Sequence, residues 1–209
     1  NFEKPELPGF SSDEFCLESY LEKYGEVFEH NFDKIFIEYD LPQLTNGVRL
    51  PEFKVESKDK NILGLKESCS NFEYLYSKCF YNLEKKLQKH NDEEYIKRLD
   101  YELNTFKELC LTDYMLLVAD VINYAKSSNI AVGLGRGSVS GSLVSYLLNI
   151  TEIDPIRYNL YFTRFVSDAR IKINNIDGNT YLLGSIADID SDISYYDRHK
   201  IFEYVQAKY

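Results

Sequence analysis

Between residues 112 and 150 the hydrophobic pattern switches period and then switches back, and this constrains the fold more than any other feature of the chain. In "TDYMLLVADVINYAKSSN" the apolar residues Tyr114, Leu117, Val118, Val121, Ile122 and Ala125 recur at helical spacing. The spacing predicts a helix over 112–129, with Thr112 placed to cap it and Asn129 to stop it. "IAVG" at 130–133 is too short for a helix and reads as a buried strand. "LGRGS" turns the chain, and "VSGSLVSYLLNI" resumes the helical pattern. The expected order is helix, strand, glycine turn, helix.

The turn itself, "GLGRGS" from Gly133 to Ser138, has the chemistry of a phosphate cradle. Its glycines permit positive φ and close backbone approach. It delivers free N–H groups at the start of a helix, where the dipole favours an anion. Ser138 adds a hydroxyl, and Arg136 a guanidinium able to fork onto phosphate oxygens. The same shape also serves as a plain strand-to-helix turn with no ligand. It is neither a Walker loop, for which the spacing and the lysine are missing, nor a dinucleotide fingerprint.

A second motif lies about 50 residues on. "SIADIDSDIS", 185–194, places Asp188, Asp190 and Asp192 at alternate positions. In a strand these share one face, roughly 6–7 Å apart, while Ala187, Ile189 and Ile193 face the other way. A row of like charge is destabilising unless something cationic sits among it. A pair of Mg²⁺ ions bridged by carboxylates would meet that need and would organise phosphoryl transfer. An acidic edge strand that discourages aggregation is the plainer reading. The two motifs together favour nucleotidyl transfer, since one element grips phosphates and the other holds metals.

The rest of the chain is less specific. Residues 11–40 carry helical patches, and 41–61, with two prolines and an Asn-Gly, read as a connector. Residues 62–108 read as helical, and the charge-laced run 82–103 reads as a solvated helical face. Residues 174–184 suggest a hairpin around Asp177-Gly178. A hydrophobic content of 44% and an aromatic content of 15% supply a core over 209 residues. No apolar run is long enough to span a bilayer, and no leader pattern follows Asn1. The cysteines Cys16, Cys69, Cys79 and Cys110 lack metal-ligand spacing and read as reduced thiols of a cytosolic protein. The histidines His30, His90 and His199 are scattered and read as surface residues. A net charge of −10 argues against a nucleic-acid grip built from this chain alone.

Residues 113–166, "DYMLLVADVINYAKSSNIAVGLGRGSVSGSLVSYLLNITEIDPIRYNLYFTRFV", resemble the palm region of the bacterial replicative DNA polymerase III alpha family, DNA polymerase family C. "GSIADIDSDISYYDRHKIFEYVQAKY", 184–209, is similar to that family's acidic stretch and following helix. Upstream, "LPEFKV" and "YIKRLDYELNTFKEL" resemble the segment linking the PHP domain to the palm. The resemblance implies an α+β chain: part of a polymerase-β-like nucleotidyltransferase palm at 112–209, preceded by a largely helical segment. Residues 46–111 would be linker and helical segment, and 1–45 the tail of a PHP domain. It implies template-directed DNA synthesis by two-metal catalysis, with Mg²⁺ or Mn²⁺ as a pair of ions. Asp188 and Asp190 would be two of three catalytic metal-binding carboxylates. Gly137 and Ser138 would contact the triphosphate of the incoming nucleotide, with Arg136 beside them and Arg164 of "YFTRFV" reaching it. Asp192 would balance charge behind the ligands.

The partners implied are primer-template DNA, dNTP, the remainder of the polymerase, a sliding clamp and other replisome proteins, with no membrane. The implied place is the cytoplasm of a bacterium or a phage-infected bacterium. The third carboxylate lies downstream in the family, so the 209 residues are expected not to extend a primer alone. Departures from the family pattern, with Ala187 for a usual Pro, Leu134 for a usual Pro, Ser140 for a usual small residue and the extra stretch 174–184, suggest a divergent, phage-encoded member. Two alternatives stay open: another nucleotidyltransferase of the same fold, and a non-catalytic replisome scaffold.

Overall fold

The computed structural model describes residues 50–87, 92–166, 171–176, 179–184 and 187–209. The helical patches expected at 11–40 and the segment 1–45 lie outside them. In chain order the described elements are α1 (Ser57–Ile62), α2 (Asn71–Leu87), α3 (Glu93–Glu108), α4 (Thr112–Ser127), a 3₁₀-helix (Gly137–Gly141), α5 (Leu143–Leu147), a second 3₁₀-helix (Phe162–Arg164), strands β1 (Ile171–Ile176) and β2 (Asn179–Gly184), and α6 (Arg198–Lys208). The described residues are therefore mostly helical.

Helices α2, α3, α4 and α5 build the main core. In α3 the buried apolar residues Tyr95, Leu99, Leu103 and Phe106 fall on one stripe, and each buried side chain of this size contributes about 1.5–3 kcal/mol. Asp92 caps α3 by accepting from the Glu94 N–H, and Glu93 and Glu94 in the first turn suit the dipole. Leu75 and Cys79 of α2 and Leu143 and Leu147 of α5 are fully buried in the same cluster. Phe106 meets Phe162 and Phe165 edge-on, with ring centroids 5.5 and 6.4 Å apart, and so fastens the second 3₁₀-helix to α3.

The helix expected over 112–129 forms over Thr112–Ser127, without the side-chain cap expected of Thr112. Thr112 is its first residue, Leu111 stands at the cap without a side-chain bond, and Asn129 takes φ +57° just beyond its end. Its buried stripe is Met115, Leu116, Ala119, Ile122 and Ala125: Ile122 and Ala125 are buried as expected, whereas Tyr114, Leu117, Val118 and Val121 are half-buried. The helix is apolar over most of its circumference, so spacing alone does not fix which face turns inward.

Three other expectations change. The strand at 130–133 shrinks to one antiparallel bridge, Val132 with Ile193, although Ile130 is buried. The helix over 139–150 is broken: Ser142 is extended, at φ −101° and ψ 124°, and divides a 3₁₀-helix from the five residues of α5. Residues 187–192 form no ladder, so the expected acid-bearing strand is an extended segment. The hairpin is present: β1 and β2 pair antiparallel with Ile176 opposite Asn179, and the connecting residues 177 and 178 lie outside the described set. Among the described residues this is the only sheet.

A smaller apolar cluster joins Ala125 and Ile130 to Ile201 of α6, with Val121, Val132, Ile193 and Val205 packed on it. It carries the segment between β2 and α6 back onto the end of α4.

Candidate functional site

The acid segment keeps the alternation of a strand without the ladder. Asp188, Asp190 and Asp192 are exposed, whereas Ala187 is buried and Ile189, Ser191 and Ile193 are half-buried. Period-two burial needs only an extended backbone lying on an apolar surface. Ala187 and Ile189 pack on the main core and Ile193 on the smaller cluster.

Helix α4 pins this segment at both ends. Ahead of the acids, the Tyr114 hydroxyl donates to the Ala187 carbonyl at 2.9 Å. Burial pushes the Tyr114 hydroxyl above its ordinary pKa, and the negative charge of Asp188 adds to the shift. Beyond the acids, Asp120 accepts from the Tyr204 hydroxyl at 2.7 Å and pairs with Lys208 at 2.7 Å. The rings of Tyr124 and Tyr204 stack at 3.7 Å. The sequence marks Tyr114 only as part of the apolar stripe and gives no role to Asp120 or Tyr204, because a lone Asp or a Tyr hydroxyl on a helix carries no spacing signal.

The glycine turn lies directly on the acid segment. Gly133 N–H donates to the Asp192 carbonyl at 2.8 Å, and Ser194 N–H to the Ala131 carbonyl at 3.0 Å. Within the turn, Gly135 has φ +106°, and a Cβ there would lie 2.7 Å from Thr151 Cγ2. Gly137 has φ +72°, yet nothing stands within 4 Å of where its Cβ would be. Gly135 is thus required by packing, whereas Gly137 faces open space. Arg136, Gly137 and Ser138 are all exposed.

Arg136 joins the two motifs. Its Nη2 lies 3.4 Å from Asp190 and its Nε 3.2 Å from Asp192, so one guanidinium spans two of the three aspartates. The cation that a row of like charge demands is supplied here by the chain itself. Among the described residues Asp188 is in no ion pair.

Arg164 stands apart from that contact. It is exposed on the 3₁₀-helix between buried Phe162 and Phe165, and among the described residues it pairs with no acid. Its helix does pack against the one carrying Gly137 and Ser138. The approach is backbone to backbone, since a Cβ at Gly141 would fall 2.6 Å from the Tyr161 carbonyl oxygen.

A buried bracket holds both 3₁₀-helices. Glu102, fully buried, accepts from the Leu143 and Val144 N–H groups at 3.0 Å and from the Ser142 hydroxyl at 2.9 Å. Arg98 donates to Glu102 at 2.6 Å, to the Gly141 carbonyl at 2.7 Å and to the Leu160 carbonyl at 3.1 Å. Burial pushes the Glu102 carboxyl above its ordinary range, while the two N–H groups and Arg98 pull it the other way. The expected solvated face of 82–103 is corrected here: Arg98 and Glu102 belong to it by sequence but turn inward, where the capping need of α5 receives them. The amides that begin α5 are taken by Glu102, so the exposed turn at 136–138 is what remains for an anion.

The donor set fits a hard divalent cation in kind. Asp188 and Asp190 offer exposed carboxylate oxygens on one side of an extended segment, the ligands that Mg²⁺ and Mn²⁺ prefer. Among the described residues no group of three or more His, Cys, Asp or Glu side chains is placed to hold a metal ion. Asp188 and Asp190 alone would supply only part of a coordination shell. Likewise no described helix is long and apolar enough to cross a membrane.

Residues 73–181 match the family model described as the bacterial DNA polymerase III alpha NTPase domain. The chain is 44% identical over 119 residues to a DNA polymerase III subunit alpha of Staphylococcus aureus strain MRSA252, covering 57% of this chain and 10% of that protein. It is 40% identical over 167 residues to the DNA polymerase III subunit alpha of Ureaplasma parvum serovar 3, covering 77% of this chain and 16% of that protein. The chain thus spans only a tenth to a sixth of the length of these curated relatives. With the matched model covering more than half of its residues, the chain belongs to the bacterial DNA polymerase III alpha family.

Proposed function

We propose that this chain contributes part of the nucleotidyl-transfer site of a replicative DNA polymerase, within a palm of the polymerase-β-like type. What carries the reading is the contact of Arg136 with Asp190 and Asp192, which puts the glycine turn and the acid segment side by side. Family membership supplies the reaction class, DNA synthesis from dNTP on a primer-template.

In this reading Asp188 and Asp190 hold divalent ions, Mg²⁺ or Mn²⁺. When bound, such ions polarise the phosphate under attack and favour the deprotonated primer hydroxyl. The chain's own residues bind and orient. Ser138 and the N–H groups around Gly137 donate to the triphosphate oxygens, and Arg136 and Arg164 supply positive charge to them. Gly137 lacks a side chain where the phosphates approach, and its open surroundings leave room for them. Asp192 keeps Arg136 in reach of the site. Primer-template DNA is gripped by the remainder of the polymerase, which accords with the −10 charge of this chain. A sliding clamp and other replisome proteins are its further partners.

Asp188→Asn and Asp190→Asn in the intact polymerase are each expected to abolish dNTP incorporation, because carboxylate charge holds hard cations. Steady-state primer extension measures it. Substantial incorporation by either variant removes that residue from the metal site.

A further inference from the structure

Arg136 reaches Asp190 and Asp192 through solvent, with 58% of its own side chain exposed and 48% and 68% of theirs. Nothing else fixes it there: among the described residues it has no other ion pair or hydrogen bond. An exposed pair of this kind is worth little and is readily exchanged. Yet Asp190 is one of the two carboxylates assigned to the metal, and Arg136 sits on the turn assigned to the triphosphate. Two cations, one covalently part of the chain and one diffusible, compete for the same oxygens.

We propose that Arg136 is an internal counter-ion of Asp190, displaced by the divalent cation and passed to the nucleotide's phosphates. The inference rests on the metal reading above and adds its order and coupling. Without ligands, the guanidinium neutralises the acid pair and raises the cost of metal entry. Metal binding frees the guanidinium, whose nearest new partner is a triphosphate on the turn at 136–138. Nucleotide binding holds the guanidinium away and so strengthens metal binding. By linkage each ligand aids the other by one common factor. No bond is made or broken in the exchange. Arg136 binds substrate in this scheme, and its contribution is read in binding rather than in turnover.

The test is Mn²⁺ binding to the intact protein, followed by electron paramagnetic resonance, with and without dNTP. Arg136→Gln removes the charge at an exposed position and is expected to leave the fold intact, which thermal unfolding checks. Without nucleotide, Arg136→Gln is expected to bind Mn²⁺ about twofold to fivefold more tightly than wild type, the range an exposed ion pair allows. Adding dNTP is expected to strengthen Mn²⁺ binding in wild type and to do so less in Arg136→Gln. Equal Mn²⁺ affinity in the two proteins without nucleotide, or weaker binding by the variant, overturns this inference and leaves the metal reading standing. An equal gain from nucleotide in both proteins overturns the hand-over. No Mn²⁺ binding by either protein overturns the metal reading and this inference with it.

Discussion

Two glycines in one turn show how different a residue's reasons can be. Gly135 is held at φ +106° with Thr151 where a side chain would be. Gly137 is held at φ +72° with open space around it. Gly135→Ala meets both backbone strain and a clash, and is expected to cost at least about 3 kcal/mol. Gly137→Ala meets the left-handed penalty alone, about 1–2 kcal/mol. Urea unfolding of the two variants measures this, and equal losses would contradict the account. If the turn receives phosphate, Gly137→Ala also raises the KM for dNTP. Sequence reading found both glycines by their pattern but could not rank them. The ranking depends on Thr151, sixteen residues on and brought back by the Glu152 N–H to Leu134 carbonyl bond at 2.8 Å.

Elements were legible where their cause is local and opaque where it is distant. Helix α4 and the hairpin β1–β2 follow from period and turn chemistry, and both are present. The broken helix at Ser142 has a cause forty residues upstream, in Glu102. No local window contains that partner, and the run around Glu102 looks like solvated charge. The three aspartates were legible as an alternating row, because burial alternates whether or not a ladder forms. Their contact with Arg136 was not, since it joins segments that only the fold brings together.

The Arg98–Glu102 bracket makes an expectation at this scale. Glu102→Gln keeps the volume but turns an amide NH₂ toward groups that are all donors, and is expected to cost about 1–3 kcal/mol. Arg98→Lys keeps the charge but loses the fork that reaches Glu102 through Nε and the Gly141 and Leu160 carbonyls through Nη2, and is expected to cost a similar amount. Because both 3₁₀-helices hang on this pair, each variant should also raise the KM for dNTP more than it lowers kcat. Stability losses below about 0.5 kcal/mol in both variants would show that the bracket is not what holds these helices.

At the scale of the whole molecule, the chain is a small part of what the curated members of its family carry. The chain covers 16% of the Ureaplasma relative, and among the described residues no three His, Cys, Asp or Glu side chains are placed together to hold a metal ion. Three of the four cysteines fall among the described residues, all as free thiols. Their burial makes a direct check on the helical core. Cys79 is fully buried on α2 and its thiol is pushed well above the ordinary range by burial, whereas Cys110 is exposed. Cys110 is expected to react with a thiol reagent in the native protein and Cys79 only on unfolding. Mass spectrometry of the labelled peptides reads this, and prompt labelling of Cys79 would contradict the packing of α2.

The central claim is that the glycine turn and the acid segment form one metal-associated site. Loading the intact protein with Fe²⁺ in place of Mg²⁺ and initiating hydroxyl-radical cleavage tests it most directly, because the radicals cut backbone only near the bound ion. The account predicts cuts in two stretches distant in sequence, 187–193 and 133–138, both suppressed by excess Mg²⁺ and by Asp190→Asn. Cuts in only one of these stretches, or in neither, would contradict it.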